Sequence, residues 1–375
     1  MKKVLFITLD FPPNIGGVSA YYENICKRLG PQSLIVLTQI TASAAIQDSS
    51  LPYKIIRGEL ISHKKFVWPK WIGLLGIIEK IIKENNIQAI LVGNILPVGE
   101  AVYLLNKKIK LPYYIFAHGM DISILRGRKR IIARNIIHKS SGMFCNSNFT
   151  RHLIEGFGYP NNKICTVYPC PNIIVRPQES IVSAIKNTYN LYDKKILLTV
   201  GRLVERKGHD KVIESLPNIL RKHNDAVYII AGDGPDEKRL KRLVEKYKVK
   251  NNVIFINHPD NEQIAALYDI STVFIMPSRA LPNGDIEGFG TVFLEAAMYS
   301  LPSVAGKSGG VQEAVIDNVT GKIVEPESRQ EIETAILKLL DNPSLAHIYG
   351  LQGLERAHRL FSWDKETKKI QNVIG

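Results

Sequence analysis

Residues 284–297 read Gly284-Asp285-Ile286-Glu287-Gly288-Phe289-Gly290-Thr291-Val292-Phe293-Leu294-Glu295-Ala296-Ala297, downstream of an apolar run at 273–276 and a Pro277-Ser278 turn. A short apolar run closed by a turn signal predicts a buried strand, and the residues from Thr291 onward predict a helix that starts near Gly290. Strand, glycine loop and helix in that order suit an anionic ligand. Glycines at 288 and 290 let backbone approach it closely, and the amides of Gly290, Thr291 and Val292 are the unspent donors of a helix N-terminus. Glu287 precedes the helix and Glu295 lies inside it. Eight residues apart, they do not form an acid and base paired on one helical face, so they suit separate tasks. The plain alternative is a helix-start charge and a solvated acidic face.

Outward from this segment the chain alternates strand and helix. Strands are expected at 4–9, 33–37, 89–92 and 113–117, with helices at 18–29 and 77–83. The pattern restarts with a strand at 195–200, a helix at 209–220, a strand at 226–231, a helix at 236–247 and a strand at 253–256. Further strands are expected at 302–305 and 322–324. Such alternation predicts parallel α/β sheets in two doubly wound halves. Tyr168-Pro169-Cys170-Pro171-Asn172 and Arg176-Pro177 disfavour both helix and sheet, which puts a hinge near 170–180. The domains are then 1–172 and 180–355. The tail, from about Glu355 through Phe361-Ser362-Trp363 to Val373, reads as one amphipathic helix whose last part, 360–375, packs back on the first domain.

A length of 375 residues exceeds what one core commonly serves, and 45% hydrophobic with 22% charged residues is an ordinary globular balance, which excludes disorder. Cys26, Cys145, Cys165 and Cys170 form no Cys-x-x-Cys pair and lack close histidines, so they read as reduced thiols and not a zinc site. No apolar run reaches membrane-span length, and residues 4–9 are too short for a secretory signal. A cytoplasmic protein is expected. The net charge of +14 is uneven: residues 1–170 hold 22 Lys and Arg against 9 Asp and Glu, while 171–375 hold 27 against 26. A basic first half suits an anionic surface or a phosphorylated substrate, although lysine-rich codon usage would read the same.

Glu287 and Glu295 in the setting EGFGTVFLEA resemble the signature of family 4 of the retaining glycosyltransferases, which have the GT-B fold. The likeness extends to Gly201-Arg202-Leu203-Val204-Glu205-Arg206-Lys207-Gly208 and to Phe11-Pro12-Pro13-Asn14-Ile15-Gly16-Gly17-Val18, and so spans nearly the whole chain. Its nearest flavour is that of bacterial mannosyltransferases acting on lipid acceptors. The resemblance implies two Rossmann-like domains facing across a cleft, and a hexose moved from a nucleotide-diphosphate sugar to a hydroxyl of a lipid-linked or glycan acceptor in cell-surface polysaccharide or glycolipid synthesis. GDP-mannose is the favoured donor and a UDP-sugar the next.

The same resemblance implies residue roles. Arg202 and Lys207 would hold the donor diphosphate, which suits fixed cations between a strand end and a helix. Glu287 would serve the sugar hydroxyls and Glu295 the ribose. His118, in His118-Gly119 after the strand at 113–117, would be catalytic beside the transferred sugar, with Asp121 near it. Donor binding would also involve Gly16, Gly17, Asn257, His258, Gly288, Phe289, Gly290, Thr291 and Val292. The family usually has a glycine where this chain has Asn257 after Ile256, so the choice between guanine and uracil is not legible. No metal and no cofactor is expected, because the nucleotide sugar is a substrate and no Asp-x-Asp follows a strand.

Two rivals read less of the chain. A nicotinamide-dependent oxidoreductase needs Gly-x-Gly-x-x-Gly after the first strand, where only Gly16-Gly17 stands. A non-catalytic basic binding protein, for nucleic acid for example, has no use for ordered donor motifs in a nearly neutral half. One segment remains: His63-Lys64-Lys65-Phe66-Val67-Trp68-Pro69-Lys70-Trp71 interleaves cations with aromatics, and Arg126, Arg128, Lys129 and Arg130 follow the His118 loop. Lys64, Lys65, Trp68, Lys70, Trp71 and these four cations suit an anionic membrane carrying a lipid-linked acceptor, placing the protein on the inner face of the cytoplasmic membrane. The aliphatic residues Leu74, Leu75, Ile78, Ile81 and Ile82 that follow are expected to pack a helix on the sheet.

Overall fold

The computed structural model describes residues 2–14, 16–41, 48–49, 51–172 and 176–375. Ile15 of the glycine loop and residues 173–175 of the expected hinge lie outside the described residues. The chain divides into two compact units, Met1–Pro169 with Ser362–Gly375, and Cys170–Phe361.

The N-terminal unit is built on β1 (Val4–Thr8), β2 (Leu34–Gln39), β3 (Lys54–Gly58), β4 (Ala89–Val92), β5 (Tyr113–Ala117), β6 (Gly142–Cys145) and β7 (Ile164–Thr166), in the order β3-β2-β1-β4-β5-β6-β7. All neighbours are parallel. The chain lays strands outward on one side of β1 and then returns to β4 on the other. That reversal opens a crevice beyond the carboxyl ends of β1 and β4, where open α/β sheets bind ligands.

The C-terminal unit repeats the device with β8 (Lys195–Val200), β9 (Ala226–Ala231), β10 (Val253–Ile256), β11 (Val273–Met276), β12 (Ser303–Gly306) and β13 (Gly321–Val324), ordered β10-β9-β8-β11-β12-β13. Here the switch lies between β8 and β11. Central strands such as β1 and β9 are buried along their whole length, as a sheet covered on both faces requires. Each unit therefore has its own core. Leu5, Ile35, Ile90 and Ile115 meet Ile78, Val102 and Ile136 in the first, and Leu197, Tyr228, Ile275 and Val304 meet Val212, Leu216 and Ile336 in the second.

The tail is not one helix. Pro343–Leu360 ends at Phe361, and a second helix, Trp363–Ile374, begins after Ser362 and belongs to the N-terminal unit. The break lets the two faces bury different residues. Phe361 packs on Phe289, with ring centroids 5.8 Å apart, while Trp363 packs edge-on against Tyr21 at 5.6 Å. The last helix is tied down by Arg28 Nε to Asp364 (2.8 Å), Lys2 Nζ to the Ile374 carbonyl (2.8 Å), and the Tyr168 amide to the buried Glu366 carboxylate (2.8 Å).

Truncating the buried indole in Trp363→Ala is expected to destabilise the N-terminal unit by about 3 kcal/mol, the lower end for large aromatics in cores. Urea unfolding followed by probes in each unit checks this. The transition of the N-terminal unit moves and that of Cys170–Phe361 stays in place.

Candidate active site

In the C-terminal unit the sequence motifs meet at the ends of β8 and β11. A single helical turn, Glu205–Lys207, follows β8 and is closed by Gly208 at φ 76°. A Cβ on Gly208 would lie 2.3 Å from the Pro277 carbonyl oxygen, so only glycine lets this turn press against the segment after β11. Lys207 Nζ then stands 2.8 Å from Glu287 Oε2, and Arg206 Nη1 bonds the same oxygen. Arg206 Nε is 2.9 Å from Asp285 Oδ1. From the other side Gly310 N donates to the Glu287 carbonyl (3.2 Å), and a Cβ on Gly309, at φ 55°, would come within 1.9 Å of that oxygen. Glu287 is held at side chain and backbone alike.

Burial alone would raise the Glu287 carboxyl, but Lys207 and Arg206 overcome it and hold it at about 2. It is a carboxylate at every working pH. Beside it, Gly290 (φ 88°) caps the helix Thr291–Met298, and the Thr291 and Val292 amides have no acceptor among the described residues. Cations, amides and a fixed carboxylate thus converge where an anion bearing a polyhydroxylated group can bind. Behind them the Asp210 carboxylate accepts two bonds from the buried Arg279 guanidinium (3.1 and 2.9 Å), while the Arg279 amide donates to the Arg206 carbonyl. This clamp fixes the turn relative to the loop.

Several expected donor residues stand differently from one another. Arg202 is exposed and its side chain makes no ion pair among the described residues, so the cation that joins Lys207 on Glu287 is Arg206, which the sequence reading passed over although it lies in the same motif. Glu295 is buried. It accepts from the Tyr268 hydroxyl (3.2 Å) and from Asn172 Nδ2 (3.4 Å), and burial pushes its carboxyl up. The Phe289 ring faces the core and Gly288 is buried beside it. Asn257 and His258, after β10, are exposed and bond Glu237 (3.1 Å) and Asp233 (2.7 Å).

In the N-terminal unit the candidates cluster at the ends of β1, β4 and β5. Gly16 and Gly17 open the helix Gly17–Arg28, and a Cβ on either would meet nothing within 4 Å. Packing does not demand glycine there. His118 follows β5; its backbone amide donates to Asp121 Oδ1 (2.9 Å), and its Nε2 lies 2.7 Å from the Tyr22 hydroxyl. Burial lowers the imidazole to about 4 and raises the Asp121 carboxyl to about 6. At neutral pH the ring is uncharged.

The basic segment divides. Lys64 and Lys65 are exposed, Phe66 is fully exposed and Trp68 is 85% exposed. Lys70 Nζ turns back to the Lys64 carbonyl. Trp71 does not face outward as expected: it is 5% exposed in the core, with Nε1 donating to Glu100 (3.0 Å), because it lies in the turn that leads into the helix Leu74–Asn85, whose Leu74, Ile78, Ile81 and Ile82 pack in the same core. Arg126, Arg128, Lys129 and Arg130 are exposed at the start of the helix Gly127–Lys139, with the Arg130 guanidinium 4.2 Å above the Phe157 ring. Among the described residues no helix is long and apolar enough to cross a membrane, and no group of three or more His, Cys, Asp or Glu could hold a metal.

The His118 shift sets a pH dependence. Its folded pKa of about 4 lies below the ordinary 6.5, so the folded state binds the proton less well than the unfolded chain does. The contribution is complete above pH 6.5 and declines as pH falls toward 4. The difference in unfolding free energy between wild type and His118→Asn, from urea titrations between pH 4 and 8, is expected to follow that window.

Two family models match the chain in series, Glycosyltransferase Family 4 over residues 15–172 and Glycosyl transferases group 1 over 183–356. The GDP-mannose-dependent alpha-(1-6)-phosphatidylinositol monomannoside mannosyltransferase of Mycobacterium tuberculosis is 27% identical over all of this chain and 98% of its own length. A Corynebacterium glutamicum mannosyltransferase named for the monoacylated form of that acceptor is 26% identical over the same shares. Among solved structures, Anabaena HepE with UDP and glucose has a TM-score of 0.83 at 17% identity, covering 100% of this chain and 99% of that one. Sucrose-phosphate synthase from Thermosynechococcus elongatus has a TM-score of 0.81 at 19% identity, covering 100% and 98%. With a doubly wound sheet in each unit, both halves matched in order and relatives aligned from end to end, the chain belongs to glycosyltransferase family 4 and has the GT-B fold.

Proposed function

We propose that the protein transfers mannose from GDP-mannose, with retention of anomeric configuration and without a metal ion, to a hydroxyl of a lipid-linked acceptor in bacterial cell-surface glycolipid or polysaccharide synthesis. The observation that carries the transfer chemistry is the pairing of Lys207 and Arg206 on Glu287 beside the unspent amides of Thr291 and Val292. The donor and acceptor classes are supported by the names of the relatives that align over the whole chain.

The step breaks the bond between the anomeric carbon and the diphosphate oxygen and forms one to the acceptor oxygen on the same face. Negative charge grows on the leaving diphosphate. Lys207, Arg206, the exposed Arg202 and the helix amides stabilise it, doing there what a divalent ion does elsewhere. The diphosphate oxygen takes the proton of the acceptor hydroxyl as that oxygen attacks. Glu287, ionised and held rigidly, orients sugar hydroxyls, and Glu295 serves the ribose. Gly16 and Gly17, with open space above their α-carbons, admit substrate close to backbone.

The deciding experiment incubates the protein with GDP-mannose or UDP-sugars and a phosphatidylinositol-type acceptor, with and without EDTA, and follows the initial product by NMR. Mannose transfer that survives EDTA and keeps the α configuration is expected. Rescue of an EDTA-treated enzyme by manganese or magnesium refutes metal independence, and a β product refutes retention. Lys207→Ala is expected to lower kcat about 100-fold, more than it weakens donor binding, because the charge it meets is largest in the transition state. Glu287→Gln is expected to lower transfer similarly, and wild-type activity in it removes the assignment.

Docking on an anionic bilayer completes the proposal. Phe66 and Trp68 are exposed aromatics next to Lys64 and Lys65, and Ile131 and Ile132 are exposed on the same helix as Arg128 and Lys129. Amphipathic rings suit the headgroup level, and each nearby cation adds about 1 kcal/mol on anionic lipid. In vesicle sedimentation, binding to anionic but not neutral lipid is expected, weakened by salt and by Lys64, Lys65 and Lys70 changed together to Glu. Binding indifferent to all three removes the membrane role.

A further inference from the structure

Tyr22 lies in the helix Gly17–Arg28 with its side chain fully enclosed, and its hydroxyl meets two groups at once. One is the Gly93 carbonyl oxygen at 2.5 Å, the other His118 Nε2 at 2.7 Å. The phenol has a single proton, and burial, with Asp121 nearby, keeps it from ionising. The carbonyl oxygen has none to offer. The phenol proton therefore goes to Gly93, and the contact with His118 is a hydrogen bond in which Nε2–H donates to the phenol oxygen. A neutral imidazole protonated on Nε2 carries its lone pair on Nδ1.

The surroundings hold this arrangement. A Cβ on Gly93 would lie 2.6 Å from Thr8 and 3.1 Å from the Tyr22 ring, so a glycine is what allows its carbonyl to stand there, and the Gly93 amide is anchored on the Ile7 carbonyl at 2.8 Å. The rings of Tyr21 and Tyr22 each lie 5.2 Å from the imidazole at steep angles and restrict its rotation. Nδ1 has no partner among the described residues and is not among the buried polar atoms left without one. It is the ring nitrogen a ligand can reach.

We infer that Tyr22 is a positioning residue that locks His118 in the Nε2–H tautomer, so that Nδ1 is presented as a hydrogen-bond acceptor to a substrate hydroxyl. The inference rests on the transferase reading above, and Tyr22 acts through His118 without touching substrate. Once the phenol oxygen is removed, Nε2–H loses its acceptor and the Nδ1–H tautomer, which would set a donor where an acceptor is needed, becomes populated.

The test combines nitrogen-15 NMR of histidine-labelled protein with a double-mutant cycle, the His118→Asn spectrum assigning the His118 signals. The wild type is expected to show the neutral Nε2–H pattern, and Tyr22→Phe a mixture of tautomers. Tyr22→Phe is also expected to lower kcat about tenfold with KM nearly unchanged, the effect of about one neutral hydrogen bond. In a His118→Asn background, where no tautomer exists to select, the same substitution costs nothing further. An Nδ1–H pattern in the wild type, or equal losses in both backgrounds, overturns the inference. Should Tyr22→Phe fail to fold, the wild-type spectrum alone decides the tautomer. A wild type that shows Nε2–H and transfers no sugar from any nucleotide donor overturns the transferase reading and leaves the lock standing.

Discussion

One carboxylate, Glu287, closed on by Lys207 and Arg206, is the constraint on which the C-terminal unit depends. Removing one partner from such a buried pair strands a charge and costs about 3–5 kcal/mol, so the surrounding backbone has to deliver all three side chains together. It does so through contacts only glycine permits. Gly208 lets the cation-bearing turn touch the end of β11, and Gly309 lets a neighbouring loop reach the Glu287 carbonyl. The Asp210–Arg279 clamp then fixes the turn through the Arg206 carbonyl. Backbone contacts and ion pairs of the protein itself hold these charges in place, and fixed charge is what stabilises a leaving anion without reorganisation at the moment of reaction.

The N-terminal unit uses the same topology for a different electrostatic purpose. Its switch point gathers a neutral histidine, two glycines with open space above them and a carboxylate raised by burial. A site that must orient hydroxyls gains from uncharged acceptors of fixed direction, and the Tyr22 phenol supplies that direction to His118. The charge imbalance of the sequence, +13 in residues 1–170, lies on the outside of this unit instead, at Lys64, Lys65, Arg128 and Lys129.

The last helix shows how the chain joins these requirements. After Leu360 it breaks at Phe361 and Ser362 and returns to the N-terminal unit, where Trp363 meets Tyr21, the neighbour in sequence of Tyr22 and a ring partner of His118. The terminal segment thereby supports the wall behind the histidine. Its buried Glu366, bonded by Lys369 and the Tyr168 amide, pins it beside the point where the chain leaves that unit.

By itself the sequence determined that the protein has two parallel α/β halves and that a glycine-rich loop leads into a helix start near Gly290 suited to an anion, while the nucleotide-sugar transferase reading came from the resemblance of these motifs to family 4. These features are local: strand runs, turn residues and motif spacing are written in consecutive positions. β3, β6 and β7, short and weakly patterned, escaped that reading. Tertiary structure alone decided that Arg206 joins Lys207 on Glu287, about 80 positions away, that Tyr22 bonds His118 across 96 positions, and that Trp71 turns inward while Trp68 stays exposed. Two arginines in one motif, or two tryptophans three apart, carry the same chemistry until packing assigns each a neighbour. The break at Phe361 was hidden for the same reason, since an amphipathic repeat reports that a face is buried and not which of two cores buries it.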